Sequence, residues 1–170
     1  MNKISPKGLK ILKTVHLLSS MMWVVGVISM AVVGFISPES GDELYMMLSV
    51  NRHIDDVLVI PGAIITIITA LIYEICTNWG FFKHTWITVK WIAAMAVTIA
   101  GTFYFNVKME RCVEITALSR DTALTNPELV GNMQITLAGT FFQAAVLVAL
   151  VVISVFKPWK KKNNLSVKQI

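Results

Sequence analysis

Four runs of mainly apolar residues, roughly 9–36, 54–75, 85–107 and 133–156, constrain this chain more than any other feature. Each reaches the length of about 20 residues that a helix needs to cross the hydrocarbon core of a bilayer. Backbone groups in that core must be satisfied within the segment itself, so runs of this kind are helices. The expectation is an all-α, polytopic membrane protein, a four-transmembrane-helix bundle forming a single domain over residues 1–170. Only 15% of the residues are charged, against about 25% in soluble domains. The first run is too long for a signal-peptide core of about 7–15 residues and is expected to stay as a helix.

Charge sets the orientation. Lys3, Lys7, Lys10 and Lys13 precede the first run, Lys83 lies in the second link, and Lys157, Lys160, Lys161, Lys162 and Lys168 end or follow the fourth run. Lysines in short loops mark the cytoplasmic side, so both termini and the second link are expected there. Every acidic residue except Glu74 then falls outside or at the outer helix ends. The net charge of +5 is read as a lipid-facing feature, with anionic lipid at the Lys-rich termini and no nucleic acid as partner. A homo-oligomer or another membrane protein is the remaining kind of partner. Cys76 and Cys112 would lie near opposite membrane faces, too far apart for a disulfide. The motifs of soluble enzymes are missing: no P-loop, GxGxxG, Gly-x-Ser-x-Gly or HExxH occurs.

Two residues sit where hydrocarbon should be. His16 lies about two turns into helix one, and an ionisable group inside a span is a functional candidate by default. At helical spacing it shares a face with Ser19, Ser20, Trp23, Gly26, Val27 and Met30, whose small members favour close packing. Lys90 lies one and a half to two turns into helix three from the same side. At about 1.5 Å rise per residue the two should share a depth.

The links and remaining spans are read more simply. Residues 38–53 form a partly helical segment along the interface, with Leu44 to Leu48 as its apolar side. Asp55 and Asp56 begin helix two at the positive end of its dipole, near Arg52 and His53. Pro61-Gly62 permits a kink, with Thr66 or Thr69 satisfying the freed carbonyl. Trp79 and Trp86 are interfacial aromatics. Residues from Lys108 continue helix three outward before a loop. Gln143 on helix four is expected to hydrogen-bond between helices.

Lys13-x-x-His16 with Trp23-x-x-Gly26, then Arg52-x-x-Asp55 with Pro61, then Trp86-x-x-x-Lys90, resembles a bacterial family of predicted integral membrane proteins of unknown function. Its layout is similar to the HemJ protoporphyrinogen oxidases and the CopD copper-resistance domain. The resemblance covers helices one to three. It implies a bacterial inner-membrane location. Through the HemJ-like pattern it places His16 and Lys90 at positions linked to haem b binding and catalysis, with Trp23, Arg52, Asp55 and Pro61 as further matches. HemJ-like chains also carry Leu-Pro-Arg and a second His in helix one. Here Trp23 leads into Val-Val-Gly-Val-Ile-Ser-Met30 with neither basic residue, a departure that counts against protoporphyrinogen oxidation itself.

Three functions are therefore expected in competition. In the first, the protein binds haem b through His16 as the iron ligand, with Lys90 as second ligand or propionate partner. In the second, a CopD-type protein offers methionine thioethers such as Met21, Met22, Met46 and Met47 to Cu(I). In the third, an accessory bundle uses His16 as a hydrogen-bonding residue and pairs Lys90 with Glu74.

Overall fold

The computed structural model describes residues 4–77 and 84–158, so Lys3, Trp79, Lys83 and the lysines from Lys160 onward lie outside the described residues. Ser5 caps the first helix, α1 (Pro6–Val33), by accepting a hydrogen bond from the Gly8 N–H at 3.2 Å. Pro6 takes the first helical position, where a missing N–H costs nothing. Then come α2 (Gly41–Cys76), α3 (Thr85–Leu118), the single turn α4 (Arg120–Ala123) and α5 (Pro127–Phe156). The four long helices have 28, 36, 34 and 30 residues, each long and apolar enough to cross a membrane. No strand occurs among the described residues. The architecture is the all-α, multi-pass bundle that the apolar runs predict.

Helix boundaries depart from the sequence reading at one end. α2 begins at Gly41, where Ser40 accepts from the Glu43 N–H at 3.2 Å and Asp42 and Glu43 fill the first turn. Residues 41–54 therefore run into the spanning helix instead of lying along the interface, and Asp55 and Asp56 sit mid-helix, away from any helix N-terminus. The reason is the partner of the apolar stripe. Leu44, Met47 and Leu48 are buried against Met109, Cys112 and Ile115 of α3 and Leu129 of α5, so protein covers them where lipid was expected; Met46 remains exposed. α5 likewise starts at Pro127, ahead of the predicted start, because Asn126 caps the N–H groups of Glu128 and Leu129. The predicted outward continuation of α3 is present and ends at Leu118. At about 1.5 Å per residue, α2 is about 54 Å long, so its first turns extend beyond a hydrocarbon core of about 30 Å. All ion pairs among the described residues lie at this end, including Arg120–Asp42 at 2.5 Å and Arg111–Glu128 at 2.9 Å.

α2 and α3 are each interrupted by one wide π-helical stretch, Asp55–Val59 and Gly101–Phe105. The first has a visible cause. Pro61 has no N–H for the carbonyl four residues back, and its ring crowds that carbonyl. The preceding turn widens, with the Ile60 N–H reaching the Asp55 carbonyl. Thr66 and Thr69 do not supply the repair predicted for them. The Thr66 hydroxyl donates to Ser19 Oγ at 3.0 Å, and the Thr69 hydroxyl turns to the Ile65 carbonyl at 2.7 Å.

α1 and α2 cross through reciprocal glycines. A methyl group on Gly62 would stand 2.7 Å from the Trp23 backbone nitrogen, and one on Gly26 would stand 2.8 Å from Val59 Cγ2. Trp23, Val27, Ala63, Val97, Leu147 and Leu150 form the central core below this crossing. The helices form an arc in the order α2, α1, α5, α3. It closes only away from the termini, where Gly41–Ile54 packs on Asn106–Leu118; Thr85–Ala100 packs along α5 and stands off from α2. Among the described residues the bundle is thus splayed between α2 and α3 at the end that carries Pro6 and Phe156.

Candidate functional site

His16 projects from α1 near the splayed end, half-buried. Its Nδ1 lies 2.8 Å from Thr69 Oγ1 on α2. The Thr69 hydroxyl proton already has backbone acceptors, the Ile65 carbonyl at 2.7 Å and the Thr66 carbonyl at 3.0 Å. A hydroxyl has one proton, and when it goes to one of these carbonyls Thr69 Oγ1 receives the hydrogen bond and Nδ1–H gives it. In that tautomer Nε2 is the basic nitrogen. The Tyr73 ring meets the imidazole edge-on, with centroids 6.0 Å apart. The His16 carbonyl accepts from Ser19 Oγ at 3.1 Å and Ser20 Oγ at 2.7 Å, and Thr66 in turn donates to Ser19. The predicted inward face of α1 is the observed one: Ser19, Trp23, Gly26 and Val27 are buried on it.

Lys90 enters the same region from α3, close enough for its charge to act on His16 and on Glu74. Its ammonium lies 5.9 Å from the Trp86 ring centroid, and that of Lys157 lies 5.8 Å from the same ring. Lys90 and Glu74 make no direct ion pair within 4.0 Å. Glu74 accepts a hydrogen bond from Trp91, and its buried Oε2 has no partner among the described residues. Side chains, and not helix contacts, therefore span the opening between α2 and α3. Trp23 is buried in the core. Arg52 does not pair with Asp55: it holds Asp56 at 3.2 Å and Glu110 at 3.2 Å and donates to Asn106 Oδ1. Those matches lie in the other half of the bundle, about 20 Å from His16 by helix rise.

A second region was not foreseen. Between the two π stretches lies a cavity of about 350 Å³, lined by Asp55 and Gln143 among other groups. A neighbouring cavity of about 340 Å³ reaches Ser37 and Pro38 and shares Met30, Met109, Thr136 and Thr140 with it. Neither is lined by His16 or Lys90. Gln143, predicted to hydrogen-bond between helices, has no hydrogen-bond partner among the described residues although it is only 9% exposed. Its amide instead faces Gly101, where a side-chain carbon would meet it at 3.5 Å, an ordinary contact. Four methionines, Met30, Met47, Met109 and Met133, line the neighbouring cavity together with Cys112. Among the described residues no three of His, Cys, Asp and Glu gather as a metal site, and Cys76 and Cys112 are both free thiols.

No protein-family model matches this chain, and neither a curated protein nor a solved structure is found similar to it.

Proposed function

We propose that this multi-pass membrane protein holds haem b at the splayed end of the bundle, with that end cytoplasmic in a bacterial inner membrane. One observation carries the reading: His16 Nδ1 lies 2.8 Å from Thr69 Oγ1, an arrangement that, with the proton on Nδ1, frees Nε2 as the base. A ligating histidine is usually held this way, through its second nitrogen. The donor set fits, because Nε2 of His16 would offer the iron a nitrogen and the Lys90 ammonium would pair with a propionate. Haem bound there would supply one-electron redox chemistry. The opening between α2 and α3 supports access from that end, and the basic residues at the termini suit anionic lipid.

The test is an absorbance spectrum of detergent-purified protein from haem-replete cells, oxidised and then dithionite-reduced, beside His16→Ala. A Soret band that shifts on reduction and vanishes in the variant is expected. A featureless spectrum from folded protein overturns the reading and leaves an accessory bundle.

A second reading has its own observation. The four methionines and Cys112 around one cavity are soft donors of the kind that suit Cu(I). Competition of the reduced protein against a Cu(I) chelator tests it, with Met109→Leu expected to weaken retention. Copper retention unchanged by Met109→Leu and Met47→Leu together removes it.

A further inference from the structure

The cavity between the π stretches is mostly apolar with a few polar groups. Thr98 donates its hydroxyl proton to the Ala94 carbonyl at 2.8 Å, Thr136 to Asn132 at 2.8 Å and Thr140 to Thr136 at 2.9 Å. Each has spent its only proton on its own helix, so each offers the cavity lone pairs alone. Asp55 adds a carboxylate that has no hydrogen bond or direct ion pair among the described residues, since Arg52 is taken by Asp56, Glu110 and Asn106. Gln143 is nine-tenths buried and unpartnered, and its amide N–H pair stands with the Asn106 amide, the Thr102 hydroxyl and the Trp23 indole N–H as the donors of the lining. The walls between these groups are apolar and include the Trp23 and Phe105 rings.

Buried polar groups in native proteins normally find partners. A cavity with one unpaired carboxylate, an unpartnered amide and aromatic walls suits a cation that donates hydrogen bonds and has apolar surface of its own. π-helical stretches concentrate at functional sites, and here both contribute lining residues, Asp55 from one and Gly101 and Phe105 from the other. The volume lies at the small end of ligand pockets. We infer that this cavity binds a small organic ammonium ion with an apolar body, its N–H groups held by Asp55 and Gln143. The neighbouring cavity, which opens toward Ser37 and Pro38, gives it a route from the end away from the termini.

The probe is phenethylammonium chloride, titrated calorimetrically into the full chain in detergent and potassium buffer, with empty micelles as blank. 2-Phenylethanol, of nearly equal size but neutral, is the control. Saturable binding of the amine is expected, at least about tenfold tighter than the alcohol, the worth of a charge-assisted hydrogen bond. Asp55→Asn should remove that preference. Equal binding of amine and alcohol, no saturable heat, displacement of the amine by equimolar sodium chloride, or an Asp55→Asn protein that keeps the preference overturns the inference. If Asp55→Asn does not fold, Gln143→Leu takes its place, and the amine-over-alcohol contrast in the parent stands without any variant.

Discussion

The two polar regions of this bundle solve opposite problems. Near the termini the helices part, yet the polar groups there are largely joined: His16 to Thr69, Thr66 to Ser19, Ser19 and Ser20 to the His16 carbonyl, and Trp91 to Glu74. In the other half the helices close, yet Asp55 and Gln143 stand without partners beside a cavity. Tight packing and polar satisfaction are therefore separate properties. In the splayed region side-chain hydrogen bonds do work that backbone contact does elsewhere. In the closed region, unused hydrogen-bonding capacity is what marks a place for something else to bind.

The largest effect should come from the element that holds both regions in one frame. Gly62→Leu drives a side chain into the Trp23 backbone, where even a methyl carbon would lie at 2.7 Å. Overpacking of this kind costs about 1–3 kcal/mol when side chains can yield, and a backbone cannot. Loss of folded protein is expected, seen as the absence of a cooperative melt in detergent. A Gly62→Leu protein that melts near the parent temperature would mean that the α1–α2 crossing does not fix the two regions relative to each other.

Next come substitutions whose signs should differ between the regions. Thr69→Val removes the hydroxyl that His16 Nδ1 meets at 2.8 Å, at a cost of about 1–3 kcal/mol. In the cavity, Gln143→Leu removes an amide that has no partner to lose, so stability should rise, or fall by less than about 1 kcal/mol. Parallel melts of the two variants decide it. A Gln143→Leu protein destabilised as much as Thr69→Val would show that Gln143 is satisfied after all, and the contrast between the regions would collapse.

What could be read from the chain follows the same division. Four apolar runs, the inward face of α1 and the nearness of His16 and Lys90 are consequences of helix length, rise and periodicity, and these are local properties. Asp55 was misplaced because the helix was expected to start beside it. Only the burial of Leu44, Met47 and Leu48 against Cys112 and Leu129 shows that residues 41–54 belong to the same helix, and no local pattern carries that contact. The π stretches depend on one extra residue per turn, which periodicity over a whole span cannot register, although Pro61 was a signal for the first. The state of Gln143 is the absence of a contact, and a sequence records no absences.

Smaller effects are expected where the contrast is least sharp. Glu74 belongs to the splayed region, yet its Oε2 is buried with no partner among the described residues. Lys90 acts on it only at longer range than an ion pair. Glu74→Gln keeps an oxygen for Trp91 and gives up the charge. If charge between α2 and α3 is only a long-range contribution, the change should stay within about 1 kcal/mol, the range of weakly coupled ion pairs. Thermal melts at low and high salt measure it, and the parent and variant should differ slightly more at low salt. A loss above about 3 kcal/mol would instead match the breaking of a buried pair. Glu74 and Lys90 would then be the clasp that holds the opening, and the splayed half would owe its stability to charge where hydrogen bonds now suffice to account for it.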